Sequence, residues 1–304
     1  MKMFEILFAG TGASVPSRDR SLPCIAVRIG KSISLFDCGE GSQRQLMLSK
    51  FSFMKVDRIF ITHMHGDHIL GLPGLLQTMG LSGRREKVDV FGPVGIKDSL
   101  CGMMDACEGD LEFELDIHEV NAGEILRFNT FSVSVFATVH GCPSVGFKLT
   151  EADRPGVFDQ EKAFLAGLEK SDYSKIQRGE TVKGVRPEEI IGPPRPGMSL
   201  VYTGDTVYCD TVKDAVKGVD VLIHEGTYVE EDTELAKGHF HSTIGEVARM
   251  ANDAGIRSLF LVHISNRYGD SEEPIEEAKK YFENTFIPND LDIFMVTPDS
   301  VRSP

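Results

Sequence analysis

Three histidines and one aspartate fall within six residues at His63-Met64-His65-Gly66-Asp67-His68. The run before them, Val56-Asp57-Arg58-Ile59-Phe60-Ile61-Thr62, reads as a strand that delivers its C-terminal end to the cluster. Alternate residues at a strand end point to one side, so His63 and His65 can grip one cation. Asp67 and His68 then enter the following turn and helix start, where they can serve a second cation. Neutral imidazole and carboxylate are the donors that borderline ions such as zinc prefer. A lone histidine is ordinarily a core or surface residue; four donors at this spacing read as a metal centre.

The elements that must position this cluster alternate in type. Strands are expected at Phe4–Ala9, Ile25–Ile29 and Ser32–Phe36, helices at Ser42–Ser49 and Ile69–Leu81, and a hairpin-like pair at Glu124–Phe128 and Phe131–Ala137. In the second half, Ser199–Tyr202, Val219–His224 and Ser258–Val262 read as strands, and Ser242–Ala254 and Glu272–Asn284 as helices. Strands that alternate with helices, with hairpins mixed in, predict an α/β fold built on mixed sheets. From Lys148 to Arg195 the chain turns polar and punctuated, with nine Lys and Arg against nine Asp and Glu and a helix expected around Asp159–Leu168. That stretch is neutral inside a strongly acidic chain. It reads either as a connecting loop or as an extended insertion that touches a polyanion.

Composition narrows the class. At 304 residues, with 41% hydrophobic and 26% charged residues, the chain reads as globular, which excludes collagen, disorder and a disulfide scaffold. No apolar run approaches the roughly 18–20 residues of a membrane span, and Met1–Phe8 reads as a first strand and not as a signal peptide. Six cysteines without a CxxC pair are expected to be reduced, so the expected compartment is the cytoplasm and no membrane partner is expected. A net charge of −14 argues against a non-specific nucleic-acid coat, and no DNA partner is expected; a local basic patch for RNA stays open.

The HxHxDH pattern after a β-run resembles the metallo-β-lactamase superfamily. The resemblance implies a four-layer αββα sandwich with mixed sheets and two Zn2+ per subunit at one edge. Three further ligands follow in order beyond apolar runs: His140, Asp205 in Tyr202-Thr203-Gly204-Asp205-Thr206, and His263. By this resemblance His63, His65 and His140 would hold one zinc and Asp67, His68 and His263 the other, with Asp205 bridging. Asp37, in Phe36-Asp37-Cys38-Gly39-Glu40-Gly41, matches the superfamily's early aspartate and would orient a ligand.

Within the superfamily the chain resembles the ribonuclease Z family of tRNA 3′-processing endonucleases. The resemblance rests on Gly10-Thr11-Gly12-Ala13-Ser14-Val15-Pro16-Ser17-Arg18, on Phe36–Gln45, on Thr62–Leu76, on His224-Glu225-Gly226-Thr227 and on His241-Ser242-Thr243. It implies zinc-dependent removal of the 3′ trailer from precursor tRNA, leaving a 3′-hydroxyl. Asp67 would take the proton of the attacking water, and His241, supported by Glu225, would protonate the leaving oxygen. A helix N-cap at Ser242 or Thr243 is expected beside that role. The resemblance further implies a homodimer and one metallo-β-lactamase-fold domain over residues 1–304. An inserted substrate-binding arm would occupy approximately 150–195, with Arg154, Lys162, Lys175 and Arg178 on the RNA. Residues Gly167–Ser174 depart from the family's pattern, which has a Gly-Pro stretch there. The alternative is a hydrolase of small phosphodiesters or other esters on the same fold, which needs neither the insertion nor the His241 pairing.

Overall fold

In the strand Phe4–Gly10 (β1), Phe4, Ile6 and Phe8 enter one apolar cluster and Leu7 and Ala9 another, the two-residue period of an extended chain buried on both faces. The other central strands repeat this division. The computed structural model describes residues 3–107, 110–269, 271–298 and 300–303. After β1 the first half forms Cys24–Ile29 (β2), Ser32–Phe36 (β3), Val56–Phe60 (β4), Val88–Gly92 (β5) and Leu115–Glu119 (β6). A second set follows: Ile125–Arg127 (β7), Phe131–Ala137 (β8), Val145–Glu151 (β9), Ser199–Tyr202 (β10), Val221–Glu225 (β11), Ser258–Val262 (β12) and Thr285–Phe286 (β13). Asp292–Thr297 (β14) and Ser300–Arg302 (β15) then return the chain to the first sheet.

One sheet has the order β15-β14-β1-β2-β3-β4-β5-β6 and the other β13-β12-β11-β10-β9-β8-β7. Strands β3 to β6 are mutually parallel, as are β10 to β13, and the remaining pairings are antiparallel. The sheets face each other across an aromatic layer. Phe8 stacks on Phe260 with centroids 5.2 Å apart, and Phe60 meets Phe36 and Phe147 at the same separation. Outside the first sheet, Leu46 of the helix Ser42–Leu48 and Leu72, Leu75 and Leu76 of Gly71–Leu81 cover Leu35 and Ile59. Outside the second, Val247, Ala248 and Ala251 of Ile244–Asp253 cover Leu222, Leu259 and Leu261. The chain is therefore the four-layer αββα sandwich of the metallo-β-lactamase fold.

Two expected elements change most. The helix expected over Ile69–Leu81 is two, Gly66–Ile69 and Gly71–Leu81, with Leu70 between them. The polar stretch from Lys148 begins inside β9, which runs to Glu151 because Val145, Phe147 and Leu149 alternate into the core. Between β9 and β10, backbone bridges Arg154↔Arg195 and Phe158↔Ile191 form a narrow stalk. The stalk carries the helices Gln160–Leu165, Lys170–Gln177 and Pro187–Ile190 around a small core of Ala163, Leu168, Ile176 and Ile190. The residues that depart from the family's Gly-Pro pattern enter the second of these helices, which Glu169 and Asp172 start with a reciprocal capping box.

The loop after β3 and the segment after β4 are laced together at the sheet edge. Cys38 N–H donates to the His68 carbonyl at 2.8 Å, and Gly71 N–H to the Cys38 carbonyl at 3.0 Å. A Cβ on Gly71 would overlap the Gly39 carbonyl oxygen, so only glycine allows this approach. Gly71→Ala is therefore expected to cost roughly 3 kcal/mol of stability, the upper part of the overpacking range, measured by chemical denaturation. A cost under about 1 kcal/mol would show that the loop can yield.

Candidate metal centre

Every donor seen in the sequence reaches the same end of the sandwich, because β3, β4, β8, β10, β11 and β12 all run toward it. His63 Nε2 and His140 Nε2 each lie 3.1 Å from His65 Nδ1. His263 Nε2 is 3.4 Å and His68 Nε2 3.5 Å from Asp67 Oδ2. Asp205 Oδ2 stands between the groups, 3.3 Å from His263, 3.4 Å from His68, and 3.9 Å from both His63 and His140. Donor atoms held about 2 Å from one cation lie roughly 3–3.5 Å from each other, so these separations suit two ions.

The backs of the rings fix their tautomers. Asp37 Oδ2, which can only accept, lies 2.7 Å from His68 Nδ1, and the Phe240 carbonyl lies 2.9 Å from His140 Nδ1. Both rings therefore donate from Nδ1 and turn a lone pair on Nε2 toward the cluster. Thr62 Oγ1 is 3.0 Å from His63 Nδ1 and can donate onward to Asp37, while Thr227 Oγ1 is 2.9 Å from His263 Nδ1 and donates to Glu225 at 2.6 Å. His68 Nε2 and Asp205 Oδ1 are buried and find no hydrogen-bond partner among the described residues. Buried polar atoms are seldom left this way. A metal ion is what this donor set fits.

Charge within the cluster follows the same pattern. Burial raises Asp67, yet its contacts with His263 and His68 hold its carboxyl below the usual range. Asp205 is likewise raised by burial and held down by His263 and His68. Burial, reinforced by His68, lowers His63 and favours its neutral, ligating form.

Beside the cluster, Glu225 accepts from His241 Nδ1 at 2.9 Å, from Thr206 N–H at 2.8 Å and from Thr227. Burial lowers the His241 pKa, but the Glu225 charge and hydrogen bond outweigh it and push it up to about 9. Thr243 caps the helix Ile244–Asp253 in a capping box with Glu246. Ser242 Oγ instead donates to the Thr206 carbonyl at 2.7 Å, which ties the His241 segment to the loop that carries Asp205. A cleft of about 460 Å³ opens over His65, Asp67, His140 and His241.

The four residues expected on RNA do not converge. Lys162 is 3.7 Å from Asp159 and Arg178 3.2 Å from Glu180; both, like Lys175, are exposed on the stalk's helical head, while Arg154 sits at the stalk's root. Tyr202 and Thr227 lie inside Tyr202–Thr206 and His224–Thr227 with no role of their own read there, and Phe240 carries no sequence signal. The Tyr202 hydroxyl donates to Asp37 at 2.7 Å.

The αββα layers and this donor cluster define a metal-dependent hydrolase of the metallo-β-lactamase class. Family models agree: anti-Pycsar protein Apyc1 matches residues 4–167 and the beta-lactamase superfamily domain matches residues 182–264. The chain is similar to the metallo-beta-lactamase fold protein YhfI from Bacillus subtilis, with a TM-score of 0.71 at 17% identity over 97% of this chain and 100% of that one. It is also similar to the short form of human tRNase Z, with a TM-score of 0.70 at 28% identity, covering 95% and 98% of the two chains. Ribonuclease Z from Methanosarcina acetivorans is 41% identical over 95% of this chain and 97% of its own length. The chain belongs to the ribonuclease Z family.

Removing the acceptor behind His68 tests the site directly. Asp37→Asn keeps the volume but exchanges a charged acceptor for an amide, and metal affinity is expected to fall 10–100-fold in a competitive chelator titration. An unchanged affinity would mean that Asp37 serves the fold alone.

Proposed function

We propose that this chain is a tRNA 3′-processing endoribonuclease that uses two zinc ions and works as a homodimer in the cytoplasm. The observation that carries the reading is the Glu225–His241 pair beside the donor cluster, in a chain 41% identical to a ribonuclease Z along nearly its full length. The nitrogen and oxygen donor set favours zinc, and the six free cysteines suit a reducing compartment. His63, His65 and His140 would hold one ion, Asp67, His68 and His263 the other, with Asp205 shared. Bound there, the ions would supply Lewis-acid polarisation of the scissile phosphate and a lowered pKa for the attacking water.

The protein's own groups do the rest. Asp67, kept ionised by His263 and His68, accepts the water proton as the water oxygen bonds to phosphorus. The bond from phosphorus to the tRNA O3′ breaks. His241, held charged by Glu225, gives its proton to that oxygen. The trailer leaves with a 5′-phosphate and the tRNA keeps a 3′-hydroxyl. Residues 150–195 serve as the substrate arm of one domain spanning 1–304, with Lys162, Lys175 and Arg178 on its exposed head and Arg154 at its root meeting RNA phosphates.

Single-turnover cleavage of a 5′-labelled precursor tRNA by metal-loaded protein tests this. A cut just after the discriminator base is expected; cleavage of only a small chromogenic phosphodiester would point to the alternative hydrolase. His241→Ala and Glu225→Gln should each slow the tRNA cut by about 10²–10⁴-fold. They should leave an ester with an acidic phenol leaving group far less affected, since that group departs without a proton. Equal losses on both substrates would remove His241 as the acid. Asp67→Ala that keeps both metals and a near-normal rate would remove Asp67 as the base.

A further inference from the structure

The chain carries a net charge of −14, so any polyanion must be met where cations are concentrated. One such place lies at the end of the second sheet opposite the metal centre, where the stalk leaves it. There Lys148 of β9, Arg154 and Arg195 of the stalk and Arg257, just before β12, line one open concavity of about 770 Å³. Among the described residues, Lys148, Arg154 and Arg195 enter no ion pair. Lys148 Nζ donates only to the Ala215 carbonyl, at 2.8 Å, and burial pulls its pKa below the usual lysine value. Arg154 Nε is buried with no hydrogen-bond partner among the described residues, while its Nη2 reaches the Pro196 carbonyl at 3.5 Å.

One carboxylate, Asp220, also lines the concavity, where it answers Arg257. Asp220 pairs with Arg257 at 2.9 Å and accepts from Ser199 N–H at 2.8 Å. Asp153 faces Gly197 N–H at 3.3 Å and Glu151 faces Met198 N–H at 3.4 Å. Four lining cations against one lining carboxylate leave the concavity an excess of positive charge, with Arg154 Nε unspent. Holding a half-buried lysine near a guanidinium whose Nε is buried and unmet costs stability, and an anion would offset that cost. The stalk bridge Arg154↔Arg195 fixes two of the cations next to each other.

We infer that this concavity is a phosphate-binding site for the RNA backbone, formed jointly by the stalk root and the sheet, and separate from the metal centre. It rests on the RNA reading for the nature of the polyanion. It is open, polar and lined by point charges and planar guanidinium groups, and it offers no aromatic face for a base. It therefore reads backbone and not sequence.

The test combines kinetics with salt-dependent binding, using metal-loaded protein. Lys148→Gln with Arg195→Gln is compared with wild type for precursor tRNA cleavage, for turnover of a small phosphodiester, and for binding of mature tRNA and an unrelated RNA duplex. The expected result is a several-fold rise in KM for the precursor with small-ester turnover unchanged. Both RNAs should bind more weakly, and the slope of log affinity against log salt should fall by about two, one for each cation removed. The charge-keeping variant Lys148→Arg with Arg195→Lys should retain most of the wild-type slope. A double Gln variant with wild-type KM and slope overturns the site. So does an equal loss of slope in the charge-keeping variant, which would trace the effect to shape. If wild type binds both RNAs with a slope that the Gln variant reduces, yet never cuts the precursor, the phosphate site stands and the processing role falls.

Discussion

A single buried carboxylate joins the two sheets to the metal centre. Asp37 is fully buried and accepts from Thr62 N–H at 2.8 Å, Thr62 Oγ1 at 2.9 Å, Tyr202 Oη at 2.7 Å and His68 Nδ1 at 2.7 Å. An ionised group removed from water survives only when its lone pairs are met. Meeting them requires the end of β4 from one sheet, the end of β10 from the other, and one of the metal-facing imidazoles to arrive together. The same contacts set the His68 tautomer, so the requirement that stabilises the sheet edge also aims a donor atom. Glu225 repeats the device on the second sheet by gathering Thr206, Thr227 and His241. Two buried carboxylates therefore orient the site without being in its cluster of donors.

Backbone strain collects at this edge. Ser14, Asp37, Phe240 and His263 all have φ between 53° and 60°, in the left-handed region that side chains avoid. Each has work there. Ser14 N–H donates to Asp67 at 3.1 Å, Asp37 is the hub, the Phe240 carbonyl holds His140, and His263 belongs to the cluster. Such conformations persist when the surroundings over-determine them, and at Asp37 and His263 those surroundings include the parallel strand pairings that precede each turn.

The legibility of these features in the sequence tracks how local they are. His63, His65, Asp67 and His68 are neighbours on one strand end, so type and spacing suffice to read them. His140, Asp205 and His263 are separated by tens of residues, and only resemblance could gather them. Tyr202 meets Asp37 across 165 positions, a pairing that exists only once both sheets are packed. Strands with pronounced alternation, such as Phe131–Ala137, were readable to the residue. The start of the insertion was not, because Lys148 is a polar residue on the open side of a strand whose other face is core. The helix Lys170–Gln177 buries little besides Asp172 and Ile176, and its start is set by hydrogen bonds between Glu169 and Asp172 that apolar periodicity does not register.

The chain's acidity and its RNA chemistry are compatible because charge is partitioned by position. The cleft holds Asp67 and Asp205, which would repel a phosphate if left alone. The cluster as a whole is built to take divalent cations, which would reverse the sign of the field there. His241 is held charged by a carboxylate that is only 1% exposed, so its positive charge faces a cleft where little water competes. Away from the cleft, attraction must come from a few uncompensated cations, because a uniformly acidic surface offers no general affinity for RNA. A polyanion long enough to touch both regions would gain from both at once. A rigid sandwich that holds its charges at fixed spacing would then favour a folded RNA over a short one.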